Sequence, residues 1–172
     1  MRSLFFFIGL LIISLQASAS VPKSNSALLL GSGSIRGGVA DRGFGLLNVK
    51  NFPGKNGKIE RIVFDVGSPI LQAIRGAPGY FHIENDTQSK RIVINFEQTV
   101  TSKFNEANLK KLLKKSPFVR NAEMYTDGSS QTTTIILNLN KPASLRAVPV
   151  AGRGGKTAQL NLDLFEENMI RK

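Results

Sequence analysis

The 172-residue sequence contains no cysteine, no tryptophan and only one histidine, His82. Without cysteine, no disulfide can cross-link the chain, so a packed hydrophobic core must hold the fold by itself. A zinc hydrolase needs several histidine or acidic ligands around its metal. A Ser-His-Asp hydrolase of the common type needs a G-x-S-x-G elbow, and the sequence has none. We therefore expect a protein that is not an enzyme and that holds no metal or other cofactor.

Glycoside hydrolysis needs only two carboxylates, which the fold can bring together from distant parts of the sequence. The alternation of apolar and polar residues places Asp65 and Asp163 at matching strand positions. This arrangement is more typical of structural residues than of an acid and a base. Sugar hydrolysis is therefore not expected either.

The first residues have the pattern of a secretory signal peptide. Arg2 precedes an apolar run from Leu4 to Leu15, and Ala17 and Ala19 form an A-x-A ending. This pattern predicts a cleaved signal over residues 1–19, with an uncleaved N-terminal anchor as the alternative. The rest of the chain has no run long enough to cross a bilayer. Because cysteine-free exported proteins are ordinary in the bacterial periplasm, we expect a periplasmic protein without a transmembrane segment.

Acidic side chains are scarce, 12 against 23 basic ones, which gives a net charge of +11, or +10 once Arg2 is removed. Such an excess favours an anionic partner: nucleic acid, acidic lipid or an acidic wall polymer. Export argues against nucleic acid, as does the lack of aromatic residues interleaved with basic ones. We therefore expect no nucleic-acid binding.

Residues 20–45 are rich in glycine and serine, with six glycines between Gly31 and Gly45. This composition predicts a flexible leader. An apolar island at 27–30 either adds a short edge strand or docks on the domain. Residues 46–167 then form one β domain, and 168–172 form a basic C-terminal tail.

Apolar residues alternate with polar ones from Leu46 onward, which predicts strands with one buried face. The clearest strands lie near residues 61–66, 91–96, 134–139 and 159–165. Further strands are expected over Leu46–Phe52, Tyr80–Glu84, Val119–Tyr125 and Leu145–Val150.

These strands repeat at a fixed spacing. The stretch RIVFDVGSP (61–69) matches TIILNLNKP (134–142) at an offset of 73, with proline at the same place. The same offset puts residues 46–52 over 119–125, and an offset of 68 puts RIVINF (91–96) over QLNLDL (159–164). We interpret this as an internal duplication, although alternation alone produces similar strands by chance.

One helix is predicted between the two halves. Asn105 is a good N-cap, Leu109, Leu112 and Leu113 form an apolar stripe, and Pro117 follows. Lys110, Lys111, Lys114 and Lys115 fill the other face of the helix near its C-terminus. These lysines either stabilise the negative end of the helix dipole or form a patch that binds an anion.

The order of these elements resembles the AMIN domain, the amidase N-terminal module of bacterial envelope proteins. The resemblance covers residues 46 to 167, and it rests on R-I-V-F-D-V with a following proline, R-I-V-I-N-F, a helix and a second copy. It implies an all-β sandwich of two similar small sheets with an approximate internal two-fold repeat and one short helix between the halves. It also implies a periplasmic module that binds peptidoglycan and targets its host protein to the cell wall.

The sequence thus leads to two functional hypotheses. The first is a non-catalytic peptidoglycan-binding module that uses Lys110, Lys111, Lys114 and Lys115, together with Arg61 and Arg91. The second is an adaptor that binds another envelope protein, for example of a pilus, secretin or division complex, by strand addition at a sheet edge. The two arginines have a simpler alternative role, which is cross-strand pairing with Asp65, Glu84 or Glu97.

Overall fold

A computed structural model of the protein describes residues 26–40 and 43–166. The expected signal peptide at 1–19 and the expected tail at 168–172 lie outside the described residues. The strands are β1 (Ala27–Leu29), β2 (Gly33–Gly37), β3 (Phe44–Pro53), β4 (Ile59–Gly67), β5 (Phe81–Asp86), β6 (Arg91–Phe96), β7 (Thr99–Ser102), β8 (Val119–Asp127), β9 (Thr132–Leu139), β10 (Ser144–Val150) and β11 (Ala158–Phe165). The described part of the chain has a single helix, α1 (Glu106–Leu113). Within these residues no helix has the length and apolarity that crossing a bilayer requires.

The strands form two sheets, which confirms the predicted sandwich. The six-stranded sheet has the order β1-β10-β11-β4-β3-β7, and the five-stranded sheet has the order β2-β5-β6-β9-β8. All strand pairs are antiparallel except β3 with β7, which run parallel. The inner faces of both sheets contribute to one hydrophobic cluster. Phe64 of one sheet and Phe96 of the other meet edge to face, with ring centroids 5.4 Å apart.

The two halves of the chain have the same strand order, as the repeat predicts. Exchanging β3, β4, β5 and β6 for β8, β9, β10 and β11 converts the order β10-β11-β4-β3 of one sheet into β5-β6-β9-β8 of the other. Each half therefore gives one hairpin to each sheet. The halves are related by an approximate two-fold exchange of the sheets, so the sandwich forms only when both halves are present.

The register repeats at the predicted offsets as well. Val49 lies opposite Phe64 in the first half, and Ala122 lies opposite Leu137 in the second, each 73 residues later. Both hairpins also carry a β-bulge at the corresponding place, between Leu46 and Asn48 and between Val119 and Asn121. The predicted equivalence of Ile62 with Ile135 and of Phe64 with Leu137 is confirmed, and all four side chains lie in the shared core.

The flexible leader expected over residues 20–45 is wrong for residues 27–37. Strand β1 pairs with β10 at the edge of the six-stranded sheet, and β2 pairs with β5 at the edge of the five-stranded sheet. The apolar island at 27–30 thus supplies an edge strand. The connection between β1 and β2 is tied down by buried Asn85, whose Nδ2 donates to the carbonyls of Gly31 and Ala143 at 2.9 Å each.

The glycines of this segment serve close packing as well as flexibility. A Cβ on Gly37 would lie 2.6 Å from the ring of Phe81. Gly38 has a φ of +84°, and a Cβ there would lie 2.1 Å from the carbonyl oxygen of Gly79. Only glycine fits where another group approaches the backbone this closely. The glycine-rich composition, which is typical of linkers, therefore occurs here in an ordered segment. The sequence pattern does not indicate strand β7, because its four residues, Thr99–Ser102, are too few to show a clear alternation of apolar and polar side chains.

Replacing Phe64 with Ala tests the shared core. Because Phe64 is fully buried, we expect the free energy of unfolding to fall by about 3–5 kcal/mol, as measured by urea denaturation. Phe52→Ala is the matched control, because Phe52 is 54% exposed and the loss of its side chain should cost about 0.5 kcal/mol or less. Equal losses for the two variants would contradict the described packing.

Candidate functional site

The helix α1 starts at a well-formed cap. The Asn105 side chain accepts a hydrogen bond from the backbone N–H of Asn108 at 3.0 Å, and the Asn108 side chain accepts one from the N–H of Asn105 at 3.1 Å. Leu109 and Leu113 are buried against the sandwich. Two of the three leucines in the predicted stripe thus orient the helix, whereas Leu112 is exposed, contrary to the prediction. The lysines remain on the outside.

The helix lies along the outer edge of the five-stranded sheet, where β8 is the last strand. Glu106 fixes it there, because its Oε2 accepts the backbone N–H of Met124 in β8 at 3.2 Å. The other oxygen of Glu106 accepts from Lys110 one turn later. These hydrogen bonds, that from Lys110 foremost, lower the pKa of Glu106 below its ordinary value.

A groove of about 470 Å³ lies between α1 and the start of β8, and we call it the basic groove. Three lysines of the predicted patch line it, together with one arginine of the strand, and its floor includes Leu113 and Val119. Its cationic residues are Lys110, Lys111, Lys114 and Arg120. None of the lining residues, all within the described part of the chain, is acidic. The groove therefore concentrates positive charge beside an apolar floor.

Arg120 owes its position to the β-bulge in β8. The ladder with β9 pairs Val119 and then Asn121, so Arg120 is the extra residue between them. Bulges re-aim a side chain relative to the regular strand, and here the exposed Arg120 lines the groove beside the helix. Its counterpart in the first half is Leu47, 73 residues earlier, at the matching bulge.

The structure brings together only part of the predicted set. Lys110, Lys111 and Lys114 share the groove, whereas Lys115 follows the end of the helix and does not line it. Arg61 and Arg91 lie on the outward faces of different sheets. The six residues therefore do not share one site, because both arginines point outward on different sheets, which lie on opposite sides of the sandwich. A role of these residues in wall binding stays a prediction.

Arg61 belongs to a charged cluster on the outer face of the six-stranded sheet, which we call the arginine cluster. It consists of Arg61 on β4, Asp163 on β11 and Arg146 on β10, which lie directly opposite one another across three neighbouring strands. Arg61 donates from Nε at 2.5 Å and from Nη2 at 2.9 Å to the two oxygens of Asp163. Arg146 donates from Nη2 at 2.7 Å and from Nε at 3.1 Å to Oδ2. The pairing of Arg61 with Asp65, Glu84 or Glu97 was therefore wrong, and Asp163 is its partner.

The pKa values of the cluster follow from these contacts. Burial raises the pKa of Asp163, but the hydrogen bonds from Arg61 and Arg146 and the charges of both guanidinium groups together outweigh it. The net pKa of Asp163 is therefore below its ordinary 3.8. The hydrogen bond to Asp163 in turn raises the pKa of Arg61. The cluster is a stable charged unit at neutral pH.

Asp65 and Asp163 do not occupy matching positions, contrary to the prediction. Asp65 pairs with Gln159 across the sheet, whereas Asp163 pairs with Arg61. Asp65 accepts from Lys50 at 2.7 Å and from Gln159 at 2.8 Å. Both carboxylates thus hold neighbouring strands together on the outer face of one sheet.

Arg91 and the single histidine lie on the outer face of the five-stranded sheet. Arg91 is exposed and stands opposite Asp86, which it attracts electrostatically. His82 has its Nδ1 3.7 Å from an oxygen of Glu84. Within residues 26–40 and 43–166, no three His, Cys, Asp or Glu side chains are grouped as a metal site requires.

Sequence reasoning missed two of the cationic residues, Arg120 and Arg146. The repeat carried a signal for the first, because Arg120 aligns with Leu47 where an apolar residue would be expected. For Arg146, the sequence predicts a strand over 145–150 but does not give the partner strand. Its proximity to Arg61 depends on β10, β11 and β4 being neighbours.

Comparison with known proteins does not assign the chain to a family. No protein-family model matches the chain, and no curated protein matches it closely enough to be a relative.

Replacing Asp163 with Asn tests the arginine cluster. Because the pKa of Asp163 is lowered in the folded state, its contribution to stability is complete above its ordinary pKa of 3.8 and is lost as the pH falls through the folded value. We expect the variant to be less stable by about 1–3 kcal/mol near neutral pH. Urea denaturation at a series of pH values should show this difference shrinking in acid.

The matched control for this measurement is Glu97→Gln, because Glu97 is exposed. Loss of an exposed side chain away from the cluster should cost about 0.5 kcal/mol or less. A constant gap between Asp163→Asn and the unaltered protein down to the lowest pH would contradict the assigned ionisation of Asp163.

Proposed function

We propose that this protein is a non-catalytic, AMIN-like module of the bacterial periplasm that binds peptidoglycan through the basic groove. The proposal combines the resemblance of the sequence repeat, the expected signal peptide and the net positive charge. The observation that carries it is the groove between α1 and β8, where three lysines and Arg120 converge without an acidic residue in the lining.

The stem peptides of the wall carry free carboxylates, which are suitable ligands for such a groove. Lysine and arginine bind carboxylates by charge-assisted hydrogen bonds, which are shorter and stronger than neutral ones. Lys111, Lys114 and Arg120 have no carboxylate partner among the described residues, whereas Lys110 is already paired with Glu106. The three unpaired cations are therefore the residues on which binding should depend.

The chemistry of the groove favours a polymer with many weak contacts over one tightly held small molecule. Exposed ion pairs contribute about 0.2–1 kcal/mol each, so a single carboxylate would be held weakly. A repeating polymer offers the same groups at high effective concentration, which strengthens binding without further contacts. An insoluble, repetitive wall meets this condition.

A second candidate function is that of an adaptor, which binds another envelope protein by strand addition. Strand β8 has nine residues and is the last strand of its sheet in the described part of the chain. The helix covers its first part and occupies the N–H of Met124. The far end of β8, where Tyr125 is 55% exposed, offers an edge to which an extended peptide can pair.

Co-sedimentation with purified, insoluble peptidoglycan tests the wall-binding proposal. The protein should sediment with the wall at low salt and release as salt rises, because exposed charges are screened beyond about 10 Å at 0.1 M salt. Replacing Lys111, Lys114 and Arg120 together with Gln should weaken the apparent affinity roughly 3- to 100-fold. No muropeptide should be released from the wall.

The matched control is a triple variant with the same loss of charge, in which Lys55, Lys90 and Arg153, all exposed and outside the basic groove, are replaced with Gln. It should sediment almost as the unaltered protein does. Equal loss in both triple variants would show a general charge effect and remove the groove from the proposal. If the unaltered protein fails to sediment at low salt, wall binding is wrong and the adaptor function takes its place.

A further inference from the structure

The arginine cluster forms one side of a second cavity, of about 640 Å³, on the outer face of the six-stranded sheet. This cavity is separate from the basic groove, which lies beside β8 of the other sheet. Besides Arg61, Arg146 and Asp163, its lining includes Phe52, Phe165 and Val63. It thus combines a charged side with an apolar one.

On the charged side, both guanidinium groups still have N–H donors that a ligand can use. Each guanidinium group has five N–H donors and places two of them on Asp163. The remaining donors have no hydrogen-bond partner among the described side chains, and the two arginine side chains are 45% and 42% exposed. Two cations share one carboxylate, so the cluster retains a net charge of about +1 at neutral pH.

The cluster holds its arginines in place before any ligand arrives. The Asp163 side chain is only 2% exposed, and it fixes both guanidinium groups from below. The Arg146 guanidinium also lies over the Phe165 ring, with its Cζ 5.4 Å from the ring centroid. Fixing long side chains in advance reduces the entropy lost on binding.

The apolar side is formed by exposed aromatic surface. Phe52 stands opposite Arg61 on the neighbouring strand β3, and the residue is 54% exposed. Val63 lies opposite Lys50 in the neighbouring row of side chains, and both line the cavity. A ligand that fits this cavity therefore carries an anionic group next to an apolar or flat body.

The internal repeat shows that the fold does not require this charged cluster. At the offsets of 73, 68 and 64, the counterparts of Arg61, Asp163 and Arg146 are Thr134, Asn95 and His82 on the outer face of the five-stranded sheet. There Thr134 donates to the Asn95 side chain at 2.8 Å. A set without arginine or carboxylate thus serves the equivalent strands, so strand pairing alone does not account for two arginines around a buried carboxylate.

We propose that the cavity at the arginine cluster is a binding site for an organic carboxylate attached to an apolar or ring-shaped body. Guanidinium groups match the planar geometry of a carboxylate and bind it with two parallel hydrogen bonds. A monoanion suits the net charge of the cluster, whereas a phosphate dianion would face the negative charge of Asp163 without enough compensation. The site does not rest on wall binding by the basic groove, since a soluble carboxylate suffices to fill it.

The carboxylate can belong to a peptide C-terminus or to a sugar acid, and small probes distinguish the two. We would titrate the ¹⁵N-labelled full chain with N-acetyl-D-alanyl-D-alanine and its C-terminal amide, and with N-acetylmuramic acid and N-acetylglucosamine. The expected result is saturable shifts of the Arg61 and Arg146 Nε–H signals and of amides in β4, β10 and β11 with at least one acid, and none with its neutral partner. The acid that binds more tightly identifies the source.

Replacing both Arg61 and Arg146 with Gln should weaken binding of that acid about ten- to a hundredfold. The matched control replaces Arg36 and Arg75 with Gln, because both are exposed and outside the cavity, and it should bind as the unaltered protein does. A dispersed amide spectrum confirms that each variant is folded.

Loss of both arginines leaves Asp163 buried without a cation, and this variant can therefore misfold. A second variant keeps the proposal testable in that case. It carries Arg61→Thr, Asp163→Asn and Arg146→His, the set of residues that the other sheet already accommodates at these positions. It should remain folded and lose the acid-dependent shifts. The proposal is overturned if no acid shifts these signals in the unaltered protein, if acid and neutral partner act alike, or if this folded variant binds the acid unchanged.

Discussion

The packing of two sheets against each other through one apolar layer is the constraint on which the rest of this structure depends. Without disulfides, the core has to fix the position of every strand. Phe64 and Phe96 meet across that layer, and Ile62 and Ile135 occupy equivalent buried positions. Because each half of the chain contributes a hairpin to each sheet, neither half can bury its own apolar face alone.

The same constraint leaves the outer faces free to differ. Most inward positions are apolar in both halves, with Glu60, Asn85 and Thr133 as buried polar exceptions. The outward positions differ between the halves in charge and hydrogen bonding. The clearest case is the row that holds Arg61, Asp163 and Arg146 in one sheet and Thr134, Asn95 and His82 in the other. A duplicated scaffold with a similar, mostly apolar interior in both halves can therefore carry two chemically different surfaces.

The two cationic sites are built in different ways. The basic groove depends on a helix docked at a sheet edge and on a bulge that aims Arg120 toward it. The arginine cluster depends on three neighbouring strands in register, with a buried carboxylate between two guanidinium groups. The groove offers several loosely held charges, which suits a polymer, whereas the cluster offers fixed donors, which suits one small group.

The sequence by itself determined which residues face the core, where the two halves correspond, and how α1 begins and is oriented, because alternation, helical spacing and capping are local properties of the chain. Tertiary structure decided the rest. The pairing of Arg61 with Asp163 joins residues 102 positions apart, and strand alternation cannot reveal which strand will lie beside which. The glycines near β2 resembled a linker in composition, and only their neighbours Phe81 and Gly79 show why glycine is needed there. The placement of Arg120 in the groove likewise follows from a bulge and a docked helix, which are set by contacts between distant segments and not by local pattern.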